Sequence, residues 1–186
     1  NFGSDVSHGS LPALGIHPAR PIVGIASTPS GNGYWLAGAD GAVYHLGGAG
    51  AFGSLPALGV TPPRPIVAMA STPSGNGYWL VGADGAIYAF GGAGYFGSLP
   101  SLHLTPAQPI VGIASTPSGN GYWLVGADGG LFAFGGAGFF GSVPSLHLSL
   151  TKPIVSVAST PTGNGYWFAG GDGGVFAFGG AGFHGS

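Results

Sequence analysis

Tyrosine and tryptophan stand side by side four times in this chain, as Tyr34-Trp35, Tyr78-Trp79, Tyr122-Trp123 and Tyr166-Trp167. Aromatic rings with one apolar face and a polar tip can stack on sugar rings, so these residues are candidate ligand contacts. The competing role is packing. Removing a buried Trp costs about 3–5 kcal/mol, a contribution that a chain this poor in charge and rich in glycine needs. Asp40, Asp84, Asp128 and Asp172 are the next candidates. A Ca²⁺ site wants about six to eight oxygen ligands, whereas each of these carboxylates stands alone before a Gly, as a tight turn demands. Arg20, Arg64 and Lys152 share a third position, each immediately before a Pro, with Gln108 filling the same place once. With the Asp residues they would form either exposed ion pairs, worth about 0–1 kcal/mol each, or a polar rim around a pocket on a common axis.

Other chemistry is poorly represented. Of the six histidines, His103 and His147 are equivalent, but Gly15 and Gly59 take their places elsewhere, and His8 and His184 replace a Phe. No zinc-type His-Glu motif and no clustered carboxylates occur. No nucleophile-elbow pattern is present, and two carboxylates for acid–base work would have to come from different repeats. We expect no enzyme, no metal and no cofactor.

The spacing of these candidates says what must position them. Each Trp follows the last by 44 residues, and so does each Asp. A fixed period of that length marks an array of one supersecondary unit. Within the second repeat, residues 66–72 form an apolar β-rich run, strand A. Asn76-Gly77 is a hairpin signal of the type I′ kind and leads into residues 78–82, strand B. Asp84-Gly85 turns again into residues 86–90, strand C. A Gly-rich turn precedes residues 95–98, read as strand D, and a longer Pro-containing connection, residues 99–108, leads to the next strand A. Apolar residues occupy both faces of strand B, as expected for a sheet covered on both sides.

Composition agrees with a folded array. The chain has 186 residues, of which 45% are hydrophobic, 12% aromatic and only 4% charged, with 41 Gly and 16 Pro. Disorder needs the opposite balance. A formal net charge of −2 offers no basic field for nucleic acid or anionic lipid. The longest apolar runs, such as residues 110–114, fall far short of the roughly 20 residues that span a bilayer, so no membrane insertion is expected. With no Cys, neither disulfides nor thiolate metal sites are available.

Four short antiparallel strands followed by a longer crossing describe one blade of an all-β β-propeller. We expect blades at residues 21–64, 65–108, 109–152 and 153–186, with residues 1–20 the tail of a preceding repeat and its linker. A β-solenoid is the weaker alternative, because no shorter period lies within the 44 residues. The ring could close with four blades and residues 1–10 as a surplus strand, or the chain could be part of a larger ring or array completed by another copy. Because it begins at Asn, a processed product or a piece of something longer is expected.

The block GNGYWLVGADGGLFAFGGAGFFGS, residues 119–142, resembles the tandem repeats of secreted actinobacterial proteins that often lie beside cell-wall hydrolase or peptidase domains. The resemblance covers essentially the whole chain and rests on the Tyr-Trp, Asp-Gly and Phe-Gly positions. It implies an extracellular or cell-surface, non-catalytic module. Gly48, Gly92, Gly136 and Gly180 stand where those repeats often carry Asp, which weighs against an acidic or cation-linked role. The repeat count also resembles hemopexin-like propellers, at the level of fold alone. From these observations we expect a propeller that binds extracellular glycan or another surface ligand through Trp35, Trp79, Trp123, Trp167, Tyr34, Tyr78, Tyr122, Tyr166, Arg20, Arg64 and Lys152. The alternative is a structural, self-assembling surface or fibre unit, favoured by the scarcity of charges that normally oppose association.

Overall fold

Each opening Pro is followed by a strand, and the computed structural model, described for residues 8–185, repeats the same three-stranded meander four times. Blade 1 comprises β1 (Ile22–Ser27), β2 (Gly33–Gly38) and β3 (Val43–Gly47); blade 2 comprises β4 (Ile66–Ser71), β5 (Gly77–Gly82) and β6 (Ile87–Gly91). Blade 3 comprises β7 (Ile110–Ser115), β8 (Gly121–Gly126) and β9 (Leu131–Gly135); blade 4 comprises β10 (Ile154–Ser159), β11 (Gly165–Gly170) and β12 (Val175–Gly179). All pairings are antiparallel and keep one register, with Trp79 opposite Ala70 on one side and Ala89 on the other. Every first strand carries an irregularity at the same place, between Ile66 and Ala68 in blade 2.

The two hairpins reverse differently from the expected type I′ turns. In the first, Gly75 donates to the Thr72 carbonyl at 2.9 Å and Thr72 to the Gly77 carbonyl at 2.9 Å. The left-handed residue is Gly75, with φ 70, not Asn76. A type I turn closed by a left-handed Gly gives the same reversal with a longer loop. It frees the Asn76 side chain, whose Oδ1 accepts from the Thr72 and Ser74 hydroxyls at 3.0 and 2.7 Å. In the second hairpin Gly85 is left-handed, with φ 79. Asp84 Oδ1 accepts the Ala86 N–H at 3.0 Å. Asp84 therefore serves the turn, as its Gly neighbour suggests.

The fourth segment departs further from expectation. Residues 95–98 form no strand, so the blades have three strands and not four. Side chains from the blades on either side bond to the backbone in and just before this segment. Trp79 Nε1 donates to the Gly94 carbonyl at 2.7 Å. The Tyr122 hydroxyl accepts the Phe96 N–H at 3.2 Å and donates to the Gly97 carbonyl. With Phe96 set 5.7 Å from the Tyr122 ring, the segment is a wedge between blades 2 and 3. Its aromatic pair, Tyr95-Phe96, has the residue types favoured in strands, which is why the segment reads as one. A 3-10 turn follows, Pro100–Leu102, closed by His103 at φ 55. His103 and His147 are the described non-glycine residues with positive φ, at the places Gly15 and Gly59 hold in the first two repeats.

Blades pack face to face through three equivalent apolar clusters. Between blades 1 and 2, Trp35, Ala37 and Leu55 meet Ile66, Met69, Tyr78, Leu80 and Phe90. The same positions close the two later junctions. Trp and Tyr rings lie 5.6–5.7 Å apart in all three. First strands follow one another around an axis: β1 packs on β4, β4 on β7 and β7 on β10, with no comparable packing of β10 on β1. Among the described residues the array is thus an open arc of blades, and they close no four-bladed ring. Separate meanders, each completed by its neighbour, are also incompatible with a solenoid coil. Residues 8–10, the described end of the surplus segment, do take a defined place. Tyr34 donates to the Gly9 carbonyl just as Tyr78 donates to Gly53, and Leu11 is buried like Leu55. Residues 1–7 of that expected strand lie outside the described residues.

Candidate functional site

The junctions account for most of the aromatic candidates. Trp35, Trp79 and Trp123 are fully buried, as are Tyr78, Tyr122 and Tyr166. A ring without an exposed face cannot stack on a sugar, so these side chains stand between blades and not on a binding surface. Each Trp indole instead donates to a glycine carbonyl of its own repeat, at 2.7 Å for Gly50, Gly94 and Gly138 and 2.6 Å for Gly182. Burial raises the Tyr78 and Tyr122 phenols to about 12, opposed in part by their hydrogen bonds to the wedge backbone. Tyr166 is raised for the same reason. Tyr34 and Trp167 are only half-buried, because no blade among the described residues lies on their outer sides.

The charged candidates do come together, at the end of the arc that carries the crossings. Three clefts open there, one at each blade junction, each bounded by a crossing segment, a second-hairpin turn and the start of a first strand. The cleft between blades 1 and 2 holds about 650 Å³ and is lined by Arg20, Asp40, Pro56, Val60 and Pro62. That between blades 2 and 3 holds about 350 Å³, with Arg64, Asp84, Thr105, Pro106 and Gln108. That between blades 3 and 4 holds about 420 Å³, with Gln108, Asp128, Pro144, Leu148 and Lys152. Each Asp commits one carboxylate oxygen to its turn, as Asp40 does to the Ala42 N–H at 3.0 Å. Arg20, Arg64 and Lys152 are exposed, whereas Asp40, Asp84 and Asp128 are half-buried. Every cleft therefore combines rigid proline C–H surface, one carboxylate, and a cation or amide at its mouth.

A separate groove of about 300 Å³ runs along the axis, lined by the middle residues of the four first strands, among them Gly24, Ala68, Gly112 and Ser156. Arg20, Arg64 and Lys152 are not among its lining residues. The cationic register thus edges the junction clefts, not a pocket on the axis. Proline and Val60 or Leu148 in the crossings, which complete the clefts, are the contributors missed in the sequence. Their recurrence beside the Arg register was the available signal. Among the described residues no group of three or more His, Cys, Asp or Glu is placed to hold a metal ion, and no helix is long and apolar enough to cross a membrane.

No family model and no curated protein matches the sequence. Solved structures match it in shape. The β-propeller domain of Myceliophteria thermophila Cps50 (Swd1) aligns with a TM-score of 0.56 and 13% identity over 84% of this chain. The chain spans about half of that structure's length, 51%. At that identity the likeness is one of fold.

Proposed function

We propose that the chain is a non-catalytic, extracellular β-propeller module that binds a polysaccharide through its junction clefts and so holds a partner domain at a cell surface. The recurrence of one cleft at three successive junctions carries this reading. A sugar ring presents C–H faces and hydroxyl edges. Proline walls suit the first, and a carboxylate beside Arg, Lys or Gln suits the second. Clefts repeated along an arc suit a polymer, since units bound in series gain avidity without any new contact. The resemblance of residues 119–142 to repeats of secreted actinobacterial proteins supports both the location and the lack of catalysis.

A pull-down on insoluble cell-wall polysaccharides, backed by a glycan array, tests it. Wild-type chain is expected to bind, and Arg20→Ala, Arg64→Ala and Lys152→Ala to weaken retention in steps while leaving the fold intact, because all three side chains are exposed. Retention unchanged in the triple variant, or none in the wild type, would sink the proposal. The alternative, a self-assembling surface unit, is favoured by one observation, the uncovered outer faces of blades 1 and 4.

A further inference from the structure

We propose that two copies of this chain join head to tail, the outer face of blade 4 on one seated against the outer face of blade 1 on the other. Two such junctions would close one ring from two four-bladed arcs. The inference stands on the blade faces alone and is independent of what the clefts bind.

The internal junctions define what each face is built to meet. A blade offers its follower Trp35, Ala37 and Leu55 in the first junction, and receives Ile66, Met69, Tyr78 and Leu80. At the two ends of the arc the same positions have no blade of the described residues against them. Ile25 is 66% exposed, while its equivalents Met69 and Ile113 are 7% exposed. On the other side Val155 is 54% exposed, whereas Val23, Val67 and Val111 pack into junctions. A recess of about 120 Å³ remains beside Trp167, lined also by Val157, Ala169 and Val175. Next to Trp35, Trp79 and Trp123, a Tyr ring from the following blade stands 5.6–5.7 Å away. Tyr34 and Leu36, half-buried on the outer face of blade 1, are the residues of this chain that match that vacancy.

Continuity with the internal junctions makes a second copy the fitting occupant. Its exposed face carries the same residue types, at the same positions, as the faces that close three junctions within the chain. Burying them removes apolar surface from water, and a net charge of −2 opposes the approach weakly. The chain covers 51% of the length of a solved propeller domain, so two copies match about one such domain in length. The wedge positions are compatible as well. Trp167 already takes its carbonyl from Gly182 of its own chain, and Tyr34 takes one from Gly9 of its own. Among the described residues only the segment after Gly182 competes, because His184-Gly185 repeats the place that His8-Gly9 holds.

Light scattering coupled to size exclusion, over a wide concentration range, tests the proposal with the intact chain. A mass of two chains that grows no further is expected. Ile25→Asp and Val155→Lys change exposed side chains, so folding should survive, and each alone is expected to weaken pairing by about 100-fold or more, since a charge would enter an apolar junction. A mixture of the two variants retains one intact junction and should recover a one-to-one pair. Isotopic labelling of one variant would identify that pair. A chain ending at Gly182 should pair at least as tightly as the full chain. A single-chain mass at every concentration would overturn the proposal, as would growth beyond two chains. Pairing indifferent to both substitutions, no recovery in the mixture, or pairing lost on truncation after Gly182 would each place the contact elsewhere and overturn it too.

Discussion

Trp79 and Trp167 occupy equivalent positions in equivalent strands and make the same indole bond to a glycine carbonyl. Yet Trp79 is fully buried and Trp167 only half so. The difference lies not in either residue or its own blade but in the next one: Tyr122 stands 5.6 Å from Trp79, while Trp167 faces an apolar recess. A blade in this chain is thus half of two cores. Most of what its aromatic residues contribute is conferred by a neighbour, as expected of repeats that cannot bury their own faces.

Substitution should separate the inner from the outer position. Trp79→Ala is expected to cost about 3–5 kcal/mol, the usual range for a buried Trp, read from urea unfolding. For Trp167→Ala about 1–2 kcal/mol is expected, because roughly half the transfer gain is available there. Equal losses would break the comparison. Hydroxyl removal is the next step down. Tyr122→Phe leaves the Phe96 N–H and the Gly97 carbonyl of the wedge without their partner, costing about 1–2 kcal/mol because both groups are half-buried and water replaces the bonds only in part. Tyr34→Phe should cost under about 1 kcal/mol, because Gly9 is exposed and water can replace the lost bond.

Alkaline titration sharpens the same contrast. Folding holds the Tyr78 and Tyr122 phenols neutral up to about 12, against about 10 in the unfolded chain. Between those values the folded state binds more protons, so stability complete below pH 10 falls as pH rises toward 12. The fall should be shallower in Tyr122→Phe than in the wild type, measured by urea midpoints at successive pH values. An unchanged slope would remove the inner tyrosines from the account.

Three strands of each repeat, the places of the turns between them and their order were legible because each is marked by local chemistry at a fixed 44-residue spacing. Three matters were not. The residues of the wedge, Tyr95 and Phe96, are of types favoured in strands, and only the side chains of Trp79 and Tyr122 show that no ladder forms. Asn76-Gly77 carries a hairpin signature, but Gly75 beside it takes the left-handed conformation and moves the turn by a residue. The roles of Trp35 and its repeats depend on contacts with a blade 44 residues away, which periodicity suggests but cannot place on a binding or packing surface. For the site, the recurrence of the Arg64 and Asp84 positions was legible in the 44-residue spacing. Their cleft was not, since its walls come from Pro106 and Thr105 in the crossing.

His103 provides the smallest test. Its φ of 55 is costly for a residue with a Cβ, by about 1 kcal/mol or somewhat more. His103→Gly should therefore raise stability by up to about 1 kcal/mol, and Gly59→His lower it by a similar amount, both read as shifts in the thermal midpoint. A destabilised His103→Gly would mean that the imidazole makes an interaction outweighing its backbone strain.

Hydrogen exchange of the four indole N–H groups, followed by NMR, tests the central claim most directly. In dilute solution, Trp79 and Trp123 are expected to exchange slowly and Trp167 much faster, because the first two are sealed between blades and the third borders open solvent. Trp79 or Trp123 exchanging as fast as Trp167 would contradict the claim that neighbouring blades, pressed face to face, are what hold this chain together.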